Sequence, residues 1–335
     1  MVQFFMTANI DFNLEHTFWE NNEAIQHIVS ELINNNFVSI KFNTEGPCLK
    51  TLGIYNFLEN ISKLLNVPHQ NIEIQTHNQS EFHKTFTIKK FPIAHSLPTV
   101  QSEIKFKKEI HTKQFENDNF KKIACFIGRP SWERLWISSY LFKNHKNNTL
   151  QTYHYDITKK HQQSGIDKII ETSKNMQYAL DAVDFLSQCP MYGPDKIAQY
   201  PITVDEFLNI NSQYHRIFVE ISCETYTEGN SFFPTEKTFR PIALKTPFII
   251  NGPTGFLNNL KRLGFRTFDK WWSENYDNYD GATRVEKIFE IVDYICNLNQ
   301  KELNTMYDDM NYVLEHNRHW LNKITNEDFK CVFKY

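Results

Sequence analysis

Glycine is scarce, 10 residues in 335, and the chain carries neither Gly-x-Gly-x-x-Gly nor a Walker-type Gly-Lys-Ser/Thr. This argues against a fold that relies on several glycine-rich phosphate loops. The six cysteines (Cys48, Cys125, Cys189, Cys223, Cys296, Cys331) lie far apart, with no Cys-x-x-Cys pair. That argues against a zinc or dithiol centre, and widely spaced free thiols fit a reducing cytoplasm. Residues 1–6 lack the charged start and long apolar core of a secretory signal, and no apolar run approaches the ~20 residues of a membrane span. A cytoplasmic location is therefore expected. A basic excess is missing too: the net charge is −3, so nothing global calls for nucleic acid. The local basic stretches, Lys105 to Lys108 and Lys143 to Lys146, are interleaved or flanked by acidic or polar residues and read as solvated faces.

What the chain does have is apolar and aromatic mass. Apolar residues make up 41% and aromatics 15%, with 28 Phe and 15 Tyr. A length of 335, at roughly 100–200 residues per domain, favours two domains with a packed core each. Both halves alternate between helical and strand patterns. In the first half, helical spacing over Glu23 to Asn34 and Leu52 to Leu65 separates strand patterns at Phe37 to Phe42 and Ile72 to Thr76. Helices between strands imply a parallel sheet. Residues 99–119 are polar and read as a link. The second half has strands at Lys122 to Ile127, Thr152 to Tyr155, Arg216 to Ile221 and Thr246 to Ile250. Its helical patterns cover Trp132 to Lys143, Asp167 to Gln188, Leu257 to Leu263, Arg284 to Leu298 and Lys301 to Ile324, and Thr203 with Glu206 suggests a capping box.

One stretch organises the rest: SCETYTEGNSFFPTEKTFRPIALKTPFIINGPTG, Ser222 to Gly255. It reads as the end of a strand, a polar loop, a helix and a second strand. In open α/β sheets such loops at the carboxyl ends of strands carry the ligand. Glu224, Glu236 and Lys237 all sit on or just past this loop. A helix N-terminus receives phosphate through its free N–H groups, Lys237 would add a full charge, and Glu236 could accept from sugar hydroxyls. Pro241 cannot donate within a helix that starts at Thr235, so either that helix kinks or it starts at Pro241 itself. On spacing alone, a solvated Glu-Lys on an exposed helix remains an open reading.

Thr235-Glu236-Lys237, the apolar helix after it and Pro247-Phe248-Ile249 together resemble the donor-binding segment of the α1,3-fucosyltransferases, which are GT-B glycosyltransferases. The longer run from Glu224 through Gly264-Phe265-Arg266-Thr267-Phe268 to Trp272-Ser273-Glu274-Asn275-Tyr276-Asp277 is similar to a group of phage, giant-virus and bacterial proteins described as glycosyltransferases. That likeness covers about the last third of the chain. The fucosyltransferase likeness covers only the donor segment, and so bears on donor chemistry rather than on fucose.

The resemblance implies an α/β, GT-B-like fold with two Rossmann-like domains facing a central cleft. Residues 1–110 would form the acceptor side, 111–310 would hold the donor, and a terminal helix, 311–335, would pack back toward the first domain. The implied reaction is sugar transfer from a nucleotide-sugar to an acceptor hydroxyl, on a glycan by first choice, with no cofactor and no metal. Arg134 is the implied phosphate-binding arginine, with Arg129 its rival by position. Lys237 would stabilise the leaving diphosphate, and Glu236 would contact the sugar or the positive charge developing on it. Glu224 either joins the donor site or only caps its loop. Arg240 either supports the same phosphates or faces water. A base is needed to take the acceptor proton. Glu45, in the turn after a strand, is the first choice, with Glu81 and His95 as rivals. Trp271 and Trp272 either stack on a ring of the ligand or, as adjacent aromatics more often do, pack into the core. Asp277 and Asp280 are too loosely arranged for a metal site, and His316, His319 and Trp320 read as a packed helix. Two other functions stay open: transfer to a hydroxymethylated base in DNA, against which the acidity weighs, and nucleotide or sugar binding without catalysis.

Overall fold

The computed structural model describes residues 7–12, 22–42, 46–90, 113, 115, 119–154, 159–192, 210 and 212–326. The chain divides into two compact units, Met1–Ser96 with Thr225–Thr235, and Leu97–Glu224 with Glu236–Tyr335. Each is α/β and carries its own sheet. Thr225–Thr235 goes with the first unit although it falls inside 111–310, so the central motif is shared out between the two.

The first unit runs β1 (Thr7–Phe12), α1 (Asn22–Asn34), β2 (Phe37–Phe42), α2 (Ile54–Leu65), β3 (Ile72–Thr76) and β4 (Thr87–Lys90). The strands pair in parallel in the order β1-β2-β3-β4. Parallel neighbours need a crossover, which α1 and α2 supply. Ile54 and Leu58, with the partly buried Ile61 and Leu65, recur at helical spacing and turn one face of α2 onto the sheet. That face meets Ile28 and Leu32 of α1, Val38, Ile40 and Phe42 of β2, and Ile72 and Ile74 of β3. The sequence reading has no strand at β1 or β4. Both are edge strands, and β4 is a four-residue Thr-Ile-Lys-Lys with no buried position to mark it.

A polar knot fixes Thr225–Thr235 within this unit. The Asn78 Nδ2 donates to Asn230 O (2.9 Å) and to Glu81 Oε2 (2.9 Å), while its Oδ1 accepts from Phe232 N (2.8 Å). Glu81 is 4% exposed and also accepts from Leu49 N (3.0 Å) and the Tyr55 hydroxyl (2.9 Å).

The second unit runs β5 (Lys121–Ile127), α3 (Trp132–His145), β6 (Thr149–Tyr153), α4 (Lys159–Ser173), α5 (Met176–Ser187), β7 (Met191–Tyr192), β8 (Ile217–Cys223), α6 (Glu236–Ala243), β9 (Phe248–Asn251), α7 (Phe256–Arg262), α8 (Gly281–Asn297) and α9 (Gln300–Asn326). Its sheet order is β7-β6-β5-β8-β9, parallel except for β7. All seven residues of β8 are buried, as a central parallel strand requires. Each fully buried Ile, Val or Phe there contributes about 1.5–3 kcal/mol. The outward backbone of Ile250 on the edge strand β9 is satisfied by side chains: its N–H donates to the Tyr276 hydroxyl (3.2 Å) and its carbonyl accepts from Arg284 Nη2 (3.1 Å).

The single helix expected over 167–188 is two helices, α4 and α5. Lys174 takes a left-handed conformation (φ 54°), and the Asn175 side chain accepts from Gln177 N to cap the new start. Residues 311–326 continue α9 without a break. There Trp320 Nε1 donates to Leu263 O (2.7 Å) and His316 Nε2 bonds Gly264 O (2.9 Å), a packed helix as read. Gly264 is needed at that crossing: its φ is +94° and a Cβ would lie 2.8 Å from the Trp320 ring. The capping box at Thr203 and Glu206 and residues 327–335 lie outside the described residues.

Candidate functional site

In the second unit the chain leaves β5 to one side for β6 and later returns to its other side as β8, so strand order reverses between β5 and β8. The carboxyl ends of the strands at such a reversal form the usual ligand crevice of an open α/β sheet. Arg134 lies across it. The loop after β5 leads into α3, where the Ser131 hydroxyl caps the helix by accepting from Arg134 N. This sets Arg134 in the first turn, 4% exposed. Its Nη1 donates to Arg129 O (2.5 Å), and its Nη2 donates to Cys223 O (2.9 Å) and Glu224 O (2.7 Å). The guanidinium therefore ties the loop after β5 to the end of β8. Its Nε has no hydrogen-bond partner among the described residues.

Glu224 follows β8 directly and is 2% exposed. Its N–H donates to Asn251 O at the end of β9 (2.8 Å), and its carboxylate accepts from the Thr238 hydroxyl (2.5 Å). It is a buried link between β8, β9 and α6. Asn251, 1% exposed, leaves its Nδ2 without a partner among the described residues, a second orphan donor at these strand ends. Cys125 and Cys223, on the adjacent strands, are buried thiols as expected.

The proline question has a local answer. Helix α6 starts at Glu236 and contains Pro241. Pro241 lacks the N–H that would bond the Lys237 carbonyl four residues back. Ser222 of β8 replaces it, its hydroxyl donating to Lys237 O at 2.9 Å. Glu236 and Lys237 thus occupy the first turn. Lys237 Nζ bonds Glu236 Oε1 at 2.9 Å, with the two side chains 21% and 27% exposed. Burial alone would raise the Glu236 pKa. The Lys237 charge and hydrogen bond, the Glu236 N–H and the Arg240 charge outweigh that and hold the carboxyl below its ordinary range.

Arg240 does not face water. It is 3% exposed, with Nη2 on Glu220 Oε1 (2.8 Å), Nε on the Tyr214 hydroxyl (2.6 Å) and its plane over the Phe126 ring (5.4 Å). Sequence reasoning missed Glu220 and Ser222. Glu220 carried a signal, since a lone carboxylate in the middle of an apolar run demands a buried cation. Ser222 had none without knowing that Pro241 lies inside the helix.

Of the base candidates, Glu45 and His95 lie outside the described residues, and Glu81 is bonded on both oxygens within the first unit. Asp277 closes the start of α7 from outside the helix, its Oδ2 accepting from Leu257 N (3.0 Å) and Asn258 N (3.3 Å). Among the described residues no group of three or more His, Cys, Asp or Glu could hold a metal ion, and no helix is long and apolar enough to cross a membrane.

No protein family and no curated protein matches the chain. Among solved structures it is similar to the α,α-trehalose-phosphate synthase (UDP-forming) of Burkholderia vietnamiensis, with a TM-score of 0.38 and 8% identity over 88% of this chain. The match spans 65% of that synthase. A likeness this distant carries no argument about activity or site.

Proposed function

We propose that the protein is a GT-B-type glycosyltransferase that moves a sugar from a nucleotide-sugar to an acceptor hydroxyl, on a glycan by first choice. The observation that carries this reading is the partly exposed Glu236–Lys237 pair in the first turn of α6. It stands in the Thr-Glu-Lys context that resembles a fucosyltransferase donor segment, in a sheet whose strand order reverses. Lys237 and the positive dipole end of that turn bind the diphosphate and stabilise it as it leaves. Glu236, held ionised, accepts hydrogen bonds from sugar hydroxyls. Arg134 contributes positive charge while its Nη groups hold the strand ends. The acceptor oxygen attacks the anomeric carbon, the bond from that carbon to the diphosphate oxygen breaks, and a base takes the acceptor proton. Glu45 is the proposed base, and no metal is invoked.

The test is a thermal-shift panel of nucleoside diphosphates on the wild type and on Lys237→Ala. One nucleotide should stabilise the wild type, by about 2.7 kcal/mol at a hundredfold excess over Kd. Failure of every nucleotide to bind, or undiminished binding by Lys237→Ala, would reject the reading.

A further inference from the structure

A second concave site lies in the second unit, apart from every residue of the donor proposal. It is a pocket of about 260 Å³ walled by Trp271, Trp272 and Tyr276 on one side and by Lys287, Glu290 and Tyr294 of α8 on the other. The α8 residues fall three to four apart and so share one face of the helix. The pocket flanks the edge strand β9, since the Tyr276 hydroxyl bonds Ile250 N. None of the residues that line it is Arg134, Glu224, Glu236, Lys237 or Arg240.

We propose that this pocket binds a single neutral sugar ring, as a glycoside or as one residue of an oligosaccharide. Trp272 and Tyr276 are buried and form the apolar floor, while the partly exposed Trp271 and Tyr294 are the rings open to the C–H face of a pyranose, the contact that makes aromatic residues carbohydrate platforms. The charges are balanced. Glu290 makes no hydrogen bond or ion pair among the described residues and can accept from two hydroxyls, while Lys287, 5.3 Å from the Tyr279 ring centre, can donate. A phosphate would meet the Glu290 carboxylate, and a cation would meet Lys287, so an uncharged polyhydroxyl ring fits where an ionic ligand does not. The volume lies just under the roughly 300–1,000 Å³ of ordinary small-ligand clefts, which restricts the occupant to about one ring.

The test is saturation-transfer NMR with the methyl α- and β-pyranosides of glucose, galactose, mannose and N-acetylglucosamine. At least one should bind the wild type in the millimolar range. Glu290→Ala and Tyr294→Ala change solvent-exposed positions and should leave the fold intact while weakening that binding at least tenfold. Lys237→Ala should leave it unchanged, which separates this pocket from the donor site; glycoside binding with no nucleotide binding would leave this proposal standing alone. Binding of none of the eight glycosides, unchanged affinity in both α8 variants, or loss of binding in Lys237→Ala would overturn it.

Discussion

Helix α6 carries the cations of two cation–carboxylate pairs, one turn apart, and the pairs are built for opposite purposes. The side chains of Arg240 and Glu220 are 4% and 1% exposed, and the Tyr214 hydroxyl bonds both of them. Lys237 and Glu236 are 21% and 27% exposed. Removing two charges from water costs several kcal/mol per ion, and only fixed, fully bonded partners offset that. The buried pair meets the condition, and so it is committed to holding α6 against β8. The outer pair keeps part of its hydration, so Lys237 can exchange one anionic partner for another at little cost. The difference between a structural anchor and a ligand-binding charge is set here by burial, although both cations sit on the same short helix.

The largest expected effect breaks the inner pair. Arg240→Ala strands the Glu220 carboxylate in the core and should cost about 3–5 kcal/mol of unfolding free energy. Urea denaturation followed at fixed pH measures it. A loss under about 1 kcal/mol would mean that the inner pair is no more of an anchor than a surface pair.

Next comes the outer pair, where the contrast should invert. Lys237→Ala should change stability by no more than about 1 kcal/mol. Its effect belongs on the ligand: a charge-assisted hydrogen bond is worth about 1.5–3 kcal/mol, so nucleoside diphosphate affinity should fall roughly 10- to 100-fold by calorimetric titration. A large stability loss with intact affinity would reverse the two roles.

How much of this was legible in the sequence differs between the pairs. The outer pair is contiguous, so Thr-Glu-Lys after a polar loop and before a second strand was enough to single it out. The inner pair spans twenty residues and two elements, and nothing local in Arg240 distinguishes a buried guanidinium from a wet one. Alternating α/β order was readable because Ile40, Ile74 and Val219 lie in short apolar runs between amphipathic stretches. The break at Lys174 was not, since the apolar periodicity of 167–188 continues across it and only Asn175 marks a cap. The assignment of Thr225–Thr235 to the first unit was hidden as well, because it depends on hydrogen bonds with Gly46, Asn78, Gln79 and Ser80, about 150 residues or more away.

A smaller effect probes why α6 can hold its first turn at all. Ser222→Ala removes the donor to the Lys237 carbonyl and should cost about 1 kcal/mol. Pro241→Ala restores a backbone N–H at the position that normally serves that carbonyl. In the Pro241→Ala background, Ser222→Ala should therefore cost measurably less, and equal costs in the two backgrounds would show that Ser222 is not the substitute donor.

The smallest effect is a pair of opposite pH slopes. Glu236 titrates below the ordinary carboxylate value of about 4.5, because Lys237, its own N–H and Arg240 outweigh the opposing effect of burial. Its ionised form is thus favoured by folding: the stabilisation is complete above the unfolded pKa and is lost as pH falls through the lower folded value. Glu81 titrates above the same ordinary value because burial outweighs its hydrogen bonds from Leu49 N, Tyr55 and Asn78 and the Lys90 charge. Its contribution has the other sign, complete below the unfolded pKa and lost as pH rises through the higher folded value. Melting temperatures from pH 3 to pH 7 should separate the two. The deficit of Glu236→Gln relative to wild type should shrink toward acid, below about 4.5. Glu81→Gln should instead gain on the wild type as pH rises above the ordinary carboxylate value, because the wild type alone must then ionise a carboxyl in the first unit's core. Parallel slopes in the two variants would mean that one of these carboxyls sits in the other's kind of environment.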